Sequence, residues 1–96
     1  MAEDKTRMLA HVHGHVQGVG FRWWTRSRAL ELSLAGYAKN LDDGRVEVAA
    51  EGDKEGVDKL KALLEEQPST ANRPGRVDRV QVQYTDPKGA EGFEER

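Results

Sequence analysis

Gly14-His15-Val16-Gln17-Gly18-Val19-Gly20-Phe21-Arg22 is the stretch on which the fold turns. Before it, Met8, Ala10 and Val12 alternate with Leu9, His11 and His13, the period of a strand. After it, Phe21, Thr25, Ala29 and Leu32 recur at helical spacing, with Trp24 beside them. The stretch is therefore a strand-to-helix loop, and it is rich in glycine. Glycine accepts backbone angles that side chains forbid. Such a loop can curl until several N–H groups face one spot, and a nest at a helix N-terminus holds an anion. Arg22 adds a fixed positive fork. A helix N-terminus favours acidic residues. This helix instead has Arg22, Arg26 and Arg28, and no acid before Glu31. A bound anion relieves that arrangement; the plainer alternative is a turn with solvated arginines. The loop is not a nucleotide P-loop, since no Lys-Ser/Thr pair follows it, and the dinucleotide glycine spacing is absent.

Working outward, the first strand covers Met8 to His13 and the first helix about residues 21–32. Only one of the adjacent Trp23 and Trp24 can be central to a core; the other lies at its rim. Ser33 takes the place where glycine usually stops a helix. Residues 34–41 read as a second strand, Asp42-Asp43-Gly44 as a hairpin turn, and residues 45–50 as a third strand. Asp53 is a candidate N-cap for a second helix over about 54–66, striped by Val57, Leu60, Leu63 and Leu64 and closed by Pro68. Arg73-Pro74-Gly75-Arg76 reads as a solvated loop. Residues 76–84 form the fourth strand, in which Val77 is out of phase and predicts a bulge or bend. Phe93 is the lone apolar anchor of a terminal segment, with room for a short fifth strand. The order β-α-β-β-α-β fits a ferredoxin-like α+β fold: an antiparallel sheet with two helices on one face. One domain over residues 1–96 is expected, with its ordered core at about 7–85.

The chain has 96 residues, 36% hydrophobic and 33% charged, with a formal net charge of −2. That suits one domain with a modest core and gives no overall pull toward nucleic acid. There is no cysteine, so no disulfide or thiolate chemistry. No apolar run approaches the roughly 20 residues of a membrane helix. No signal-peptide pattern precedes the first strand, which makes the cytoplasm the default location. No large apolar patch demands a partner, so a monomer is expected.

Two motifs together resemble the acylphosphatase family. Gly14 to Arg22 is similar to its signature G-x-V-Q-G-V-x-F-R. Gly36-Tyr37-Ala38-Lys39-Asn40, continuing through Gly44, Val46 and Gly52, is similar to its second signature. The resemblance covers about residues 8–84. It implies a ferredoxin-like fold and a small hydrolase, without metal or cofactor, that splits acyl phosphates into a carboxylate and inorganic phosphate. By the same resemblance His15, Val16, Gln17, Gly18, Val19 and Gly20 form the phosphate cradle, Arg22 binds the phosphoryl oxygens, and Asn40 positions the attacking water. Ser33 departs from the glycine of many members, and the tail from Gly92 to Arg96 lacks the usual apolar alternation.

These residue types suit that chemistry. The leaving group is a carboxylate and needs no general acid. The task is to bring water to an anionic phosphorus, by positioning and charge neutralisation. An asparagine amide holds water without repelling the substrate. It does not titrate near neutral pH, so the proton passes to a phosphoryl oxygen. The ends of the first and second strands fall at one end of a split βαβ sheet, where Arg22 and Asn40 are expected to flank a shallow pocket.

Other readings stand beside these. His11, His13 and His15 alternate as metal ligands would, yet an exposed strand face explains them. Asp42 and Asp43 suit a hairpin better than acid/base work. Gln17 either touches substrate or buttresses the loop, and Trp23 either rims the pocket or is helix surface. RNA recognition on this fold needs aromatics on the open sheet face, where the first and third strands offer Leu9, His11, His13, Arg45, Glu47 and Ala49. A non-catalytic phosphate sensor keeps the anion site without turnover. A carbamoyl-phosphate-processing domain of a larger enzyme is a further alternative.

Overall fold

The computed structural model describes residues 4–67 and 69–96. The closing Pro68 of the second helix lies outside them. The elements run β1 (Lys5–His15), α1 (Phe21–Glu31), β2 (Ala35–Asn40), β3 (Val46–Asp53), α2 (Lys54–Glu65), β4 (Arg76–Thr85) and β5 (Phe93–Glu95). The sheet order is β4-β1-β3-β2-β5. β1 pairs antiparallel with both β3 and β4, and β3 antiparallel with β2. This is the ferredoxin-like arrangement that the element order predicts.

Even-numbered residues of β1 and β3 point to one face. Met8, Ala10, Val12, Val46, Val48 and Ala50 are fully buried there, under Phe21 and Trp24 of α1 and Val57, Leu60 and Leu64 of α2. α1 packs on β2 and β5, and α2 on β3, β1 and β4. The predicted bulge lies where Gly14 meets Val77: the β1–β4 register shifts between His13 and Gly14, which returns Val77 to the buried face. Gly14 has φ +142°, and a Cβ there would sit 2.0 Å from the Arg76 carbonyl oxygen, so only glycine fits the bulge.

Several expectations change. The sheet is mixed rather than purely antiparallel, because β5 exists and joins β2 in parallel. Secondary structure therefore extends beyond the expected core of residues 7–85 at both ends. Asp53 occupies the N-cap position of α2 but caps nothing with its side chain, which pairs with Lys5 at 3.2 Å. Arg73 is not a solvated loop residue. Its Nη1 donates to the Leu63 and Leu64 carbonyls at 2.9 and 3.0 Å, closing the C-terminal turn of α2.

Ser33 ends α1 as glycine would. The Leu34 N–H donates to the Ala29 carbonyl and the Ser33 N–H to the Leu30 carbonyl, a Schellman closure with Ser33 at φ +60°. A side chain in that region costs about 1–2 kcal/mol. Ser33→Gly is expected to stabilise the fold by about 0.5–1 kcal/mol, read as a higher urea midpoint with unchanged slope.

Candidate active site

β1 and β2 both run antiparallel to β3, so they run parallel to each other and end together. β5 runs parallel to β2 and ends there too. The glycine loop leaves β1 at this end, Asn40 closes β2, and Glu95 closes β5. One pocket there is lined by Val16, Gly18, Gly20, Phe21, Arg22, Trp23, Asn40 and Glu95. A wider depression at the other end of β3 is lined by Asp4, Asp53, Lys54, Glu55, Asp58 and Lys59. Its four carboxylates oppose an anionic ligand, and neither arginine nor the glycine loop reaches it.

The loop is shaped for its position. Gly18 and Gly20 have φ +76° and +86°, and Gly20 is the left-handed N-cap of α1. No acid lies in the first turn. Among the described residues, no N–H from Gln17 to Gly20 donates to a backbone carbonyl. Gln17 is a buttress. Its Nε2 donates to the Leu41 and Arg45 carbonyls at 2.8 and 2.9 Å, which ties the loop to the hairpin following Asn40. That hairpin is set in turn by Asp43, which accepts from the Arg45 N–H and Nε at 3.1 and 2.7 Å. The Arg45 amide is the first cause holding the Asp43 carboxyl below the usual range. Within the predicted cradle, His15, Gln17 and Val19 lie outside the pocket lining. The Val16 side chain is buried in the core, so only backbone groups are available to a ligand at that residue.

The three arginines of α1 divide their tasks. Arg28 pairs with Glu31 at 2.7 Å. Arg26 Nε donates to the Phe93 carbonyl at 3.0 Å. Arg22 Nη1 donates to the Arg96 backbone oxygen at 2.8 Å, and its fork meets no Asp or Glu side chain among the described residues. The Arg96 carbonyl also accepts from the Asn40 N–H at 3.2 Å. The tail thus braces both predicted functional residues through one oxygen. Arg96 is itself fixed: its N–H donates to the Ala38 carbonyl, and its guanidinium lies 4.1 Å over the Tyr37 ring. Residue patterning gave no sign of this brace, because its donors and its acceptor lie 74 residues apart in the chain for Arg22.

Asn40 carries one unmet need. Its Oδ1 is buried and has no hydrogen-bond partner. A buried carbonyl oxygen in that state costs about 1–3 kcal/mol unless something donates to it. The histidine row has ordinary partners: His11 Nε2 meets Glu47 Oε1 at 2.9 Å and His13 Nε2 meets Gln81 Oε1 at 3.0 Å. Among the described residues no three His, Cys, Asp or Glu side chains converge as metal ligands would, and no helix is long and apolar enough to cross a membrane.

The family model for acylphosphatase matches residues 8–95. The chain belongs to the acylphosphatase family. It is 60% identical to an acylphosphatase of Corynebacterium efficiens over 97% of this chain and 94% of that one. It is 57% identical to an acylphosphatase of Thermobifida fusca, over 97% and 99% respectively. Among solved structures, an acylphosphatase from Coxiella burnetii superposes with a TM-score of 0.85 at 31% identity, covering 98% of this chain and 95% of that chain. The family match reaches residue 95 and so takes in β5, the tail strand that the local sequence of this chain obscures.

Proposed function

We propose that this pocket hydrolyses the carboxyl–phosphate bond of acyl phosphates without a metal ion, with Arg22 and the glycine loop holding the phosphoryl group and Asn40 the water. The observation that carries the reading is the convergence on one pocket of a guanidinium fork bound through Nη1 to a backbone oxygen alone and an orphaned amide oxygen. Loop amides and Arg22 neutralise the equatorial oxygens. A water donating one O–H to Asn40 Oδ1 has its own oxygen lone pair free for phosphorus. The water oxygen bonds to phosphorus as the phosphorus–acyl-oxygen bond breaks. The bonding pair leaves with the carboxylate, and the water proton passes to a phosphoryl oxygen. The products are a carboxylate and inorganic phosphate.

Turnover of a simple aryl acyl phosphate in chelator tests this. Native protein is expected to retain its rate, and Asn40→Ala to lose about 10²–10³ with its circular dichroism unchanged. Folded native protein without turnover rejects the reading, as does activity that chelator removes and a divalent cation restores. A phosphate sensor would bind phosphate without turnover. The same reading includes a monomer in the cytoplasm. Of the large exposed apolar side chains, Trp23 and Leu30 lie on α1 and Tyr84 on β4; sedimentation and cell fractionation check both.

A further inference from the structure

α1 carries two adjacent tryptophans with opposite fates. Trp24 is buried, its ring centroid 5.8 Å from that of Phe21, and its Nε1 donates to the Ala71 carbonyl at 2.8 Å. Trp23 is 61% exposed, yet it lines the pocket beside Arg22. Packing does not explain it, since the core is complete without it. Glu95 lines the same pocket and pairs with no cation among the described residues, although its neighbour Glu94 takes Arg96 at 2.7 Å.

We infer that Trp23 and Glu95 form a subsite for the acyl group, selecting apolar or aromatic acyl phosphates over those whose acyl chain ends in a carboxylate. This rests on the phosphoryl group sitting between the loop and Arg22, as proposed above. The acyl end must then leave toward the pocket mouth, because Val16 and Phe21 close the floor. A flat indole at that mouth offers apolar contact to a passing ring or alkyl chain. A carboxylate in the same lining repels an anionic acyl terminus, and salt screens that repulsion. Neither effect depends on the reacting bond, so the subsite sorts substrates and leaves the chemical step alone.

The test compares kcat/KM for benzoyl, acetyl and succinyl phosphates in the native enzyme, Trp23→Ala, Trp23→Phe and Glu95→Gln. Trp23→Ala is expected to lower the benzoyl-to-acetyl ratio about 3- to 10-fold, while Trp23→Phe keeps it within about 2-fold of native. Glu95→Gln is expected to raise the succinyl-to-acetyl ratio about 2- to 5-fold at low ionic strength, with the gain vanishing near 1 M salt. An unchanged benzoyl-to-acetyl ratio in Trp23→Ala overturns the aromatic half. An unchanged succinyl-to-acetyl ratio in Glu95→Gln overturns the charge half. If the native enzyme hydrolyses acetyl phosphate but both ratios stay fixed, the subsite fails and the proposed reaction stands. If folded native enzyme hydrolyses none of the three, the proposed reaction fails and the subsite with it.

Discussion

Arg22→Ala is expected to lower kcat/KM for an aryl acyl phosphate by about 10²–10³ while leaving the protein folded. The guanidinium is the one cation in the pocket lining, and the developing charge on the phosphoryl oxygens has no other side-chain partner of that sign. Arg22→Lys should recover only part of the loss. An ammonium restores charge but not the planar fork, and it cannot hold both an oxygen of the substrate and the Arg96 carbonyl at 2.8 Å in fixed geometry. The structural cost of removing Arg22 is small by comparison. One exposed hydrogen bond is lost, worth about 1 kcal/mol, and the Asn40 N–H still holds the same carbonyl. Circular dichroism and thermal melting separate the two effects. A fall in kcat/KM below tenfold in a folded variant would move phosphoryl binding to the loop amides alone.

The parts of this protein legible in sequence are those with local causes. Alternation in β1 and β3, the stripe of α2 and the Asp42-Asp43-Gly44 turn each depend on residues within a few positions of one another, and the structure matches them. The split βαβ order also sufficed to bring Arg22 and Asn40 to one end of the sheet. What was not legible is long-range. β5 has a single apolar residue, and its strand character comes from pairing with β2 and from two arginines of α1, Arg26 on the Phe93 carbonyl and Arg22 on the Arg96 backbone oxygen just past the strand. Composition cannot announce a strand whose partners are that distant. Gln17 shows the same limit within the site. Its two backbone acceptors lie 24 and 28 residues away, and they settle that its side chain braces the hairpin. In the sequence Trp23 stood open between pocket rim and helix surface and Glu95 carried no reading of its own, until the fold put both in one pocket lining.

Glu51→Ala is expected to destabilise the fold by about 3–5 kcal/mol, the cost of leaving a buried charge without its partner. Glu51 and Arg7 meet at 2.7 Å with side chains only 8% and 10% exposed. The carboxylate also accepts the Lys88, Gly89 and Ala90 N–H groups at 2.9–3.2 Å. It is thus the anion around which the segment between β4 and β5 folds. Native domains are stable by only about 5–15 kcal/mol in all, so this one change removes a large share. Replacing both partners, Arg7→Met with Glu51→Leu, should cost less than Glu51→Ala, because no charge is then stranded. The pH dependence has a definite sign. Burial pushes the Glu51 carboxyl up, but the three amides and Arg7 outweigh it and hold it below the ordinary range. The unfolded chain therefore binds the proton first as pH falls. The stabilisation is complete above about pH 5, where an unfolded glutamate near 4.3 is ionised, and it is lost as pH drops through the lower folded value. Urea unfolding at pH 7 and at about pH 3 should show a smaller acid-induced loss in Glu51→Gln than in native protein. The same loosening reaches the active site, since the segment held by Glu51 leads into β5, whose end braces Arg22 and Asn40. A folded Glu51→Gln protein should accordingly show a raised KM. Native KM together with native acid sensitivity would assign the crossing segment to contacts other than Glu51.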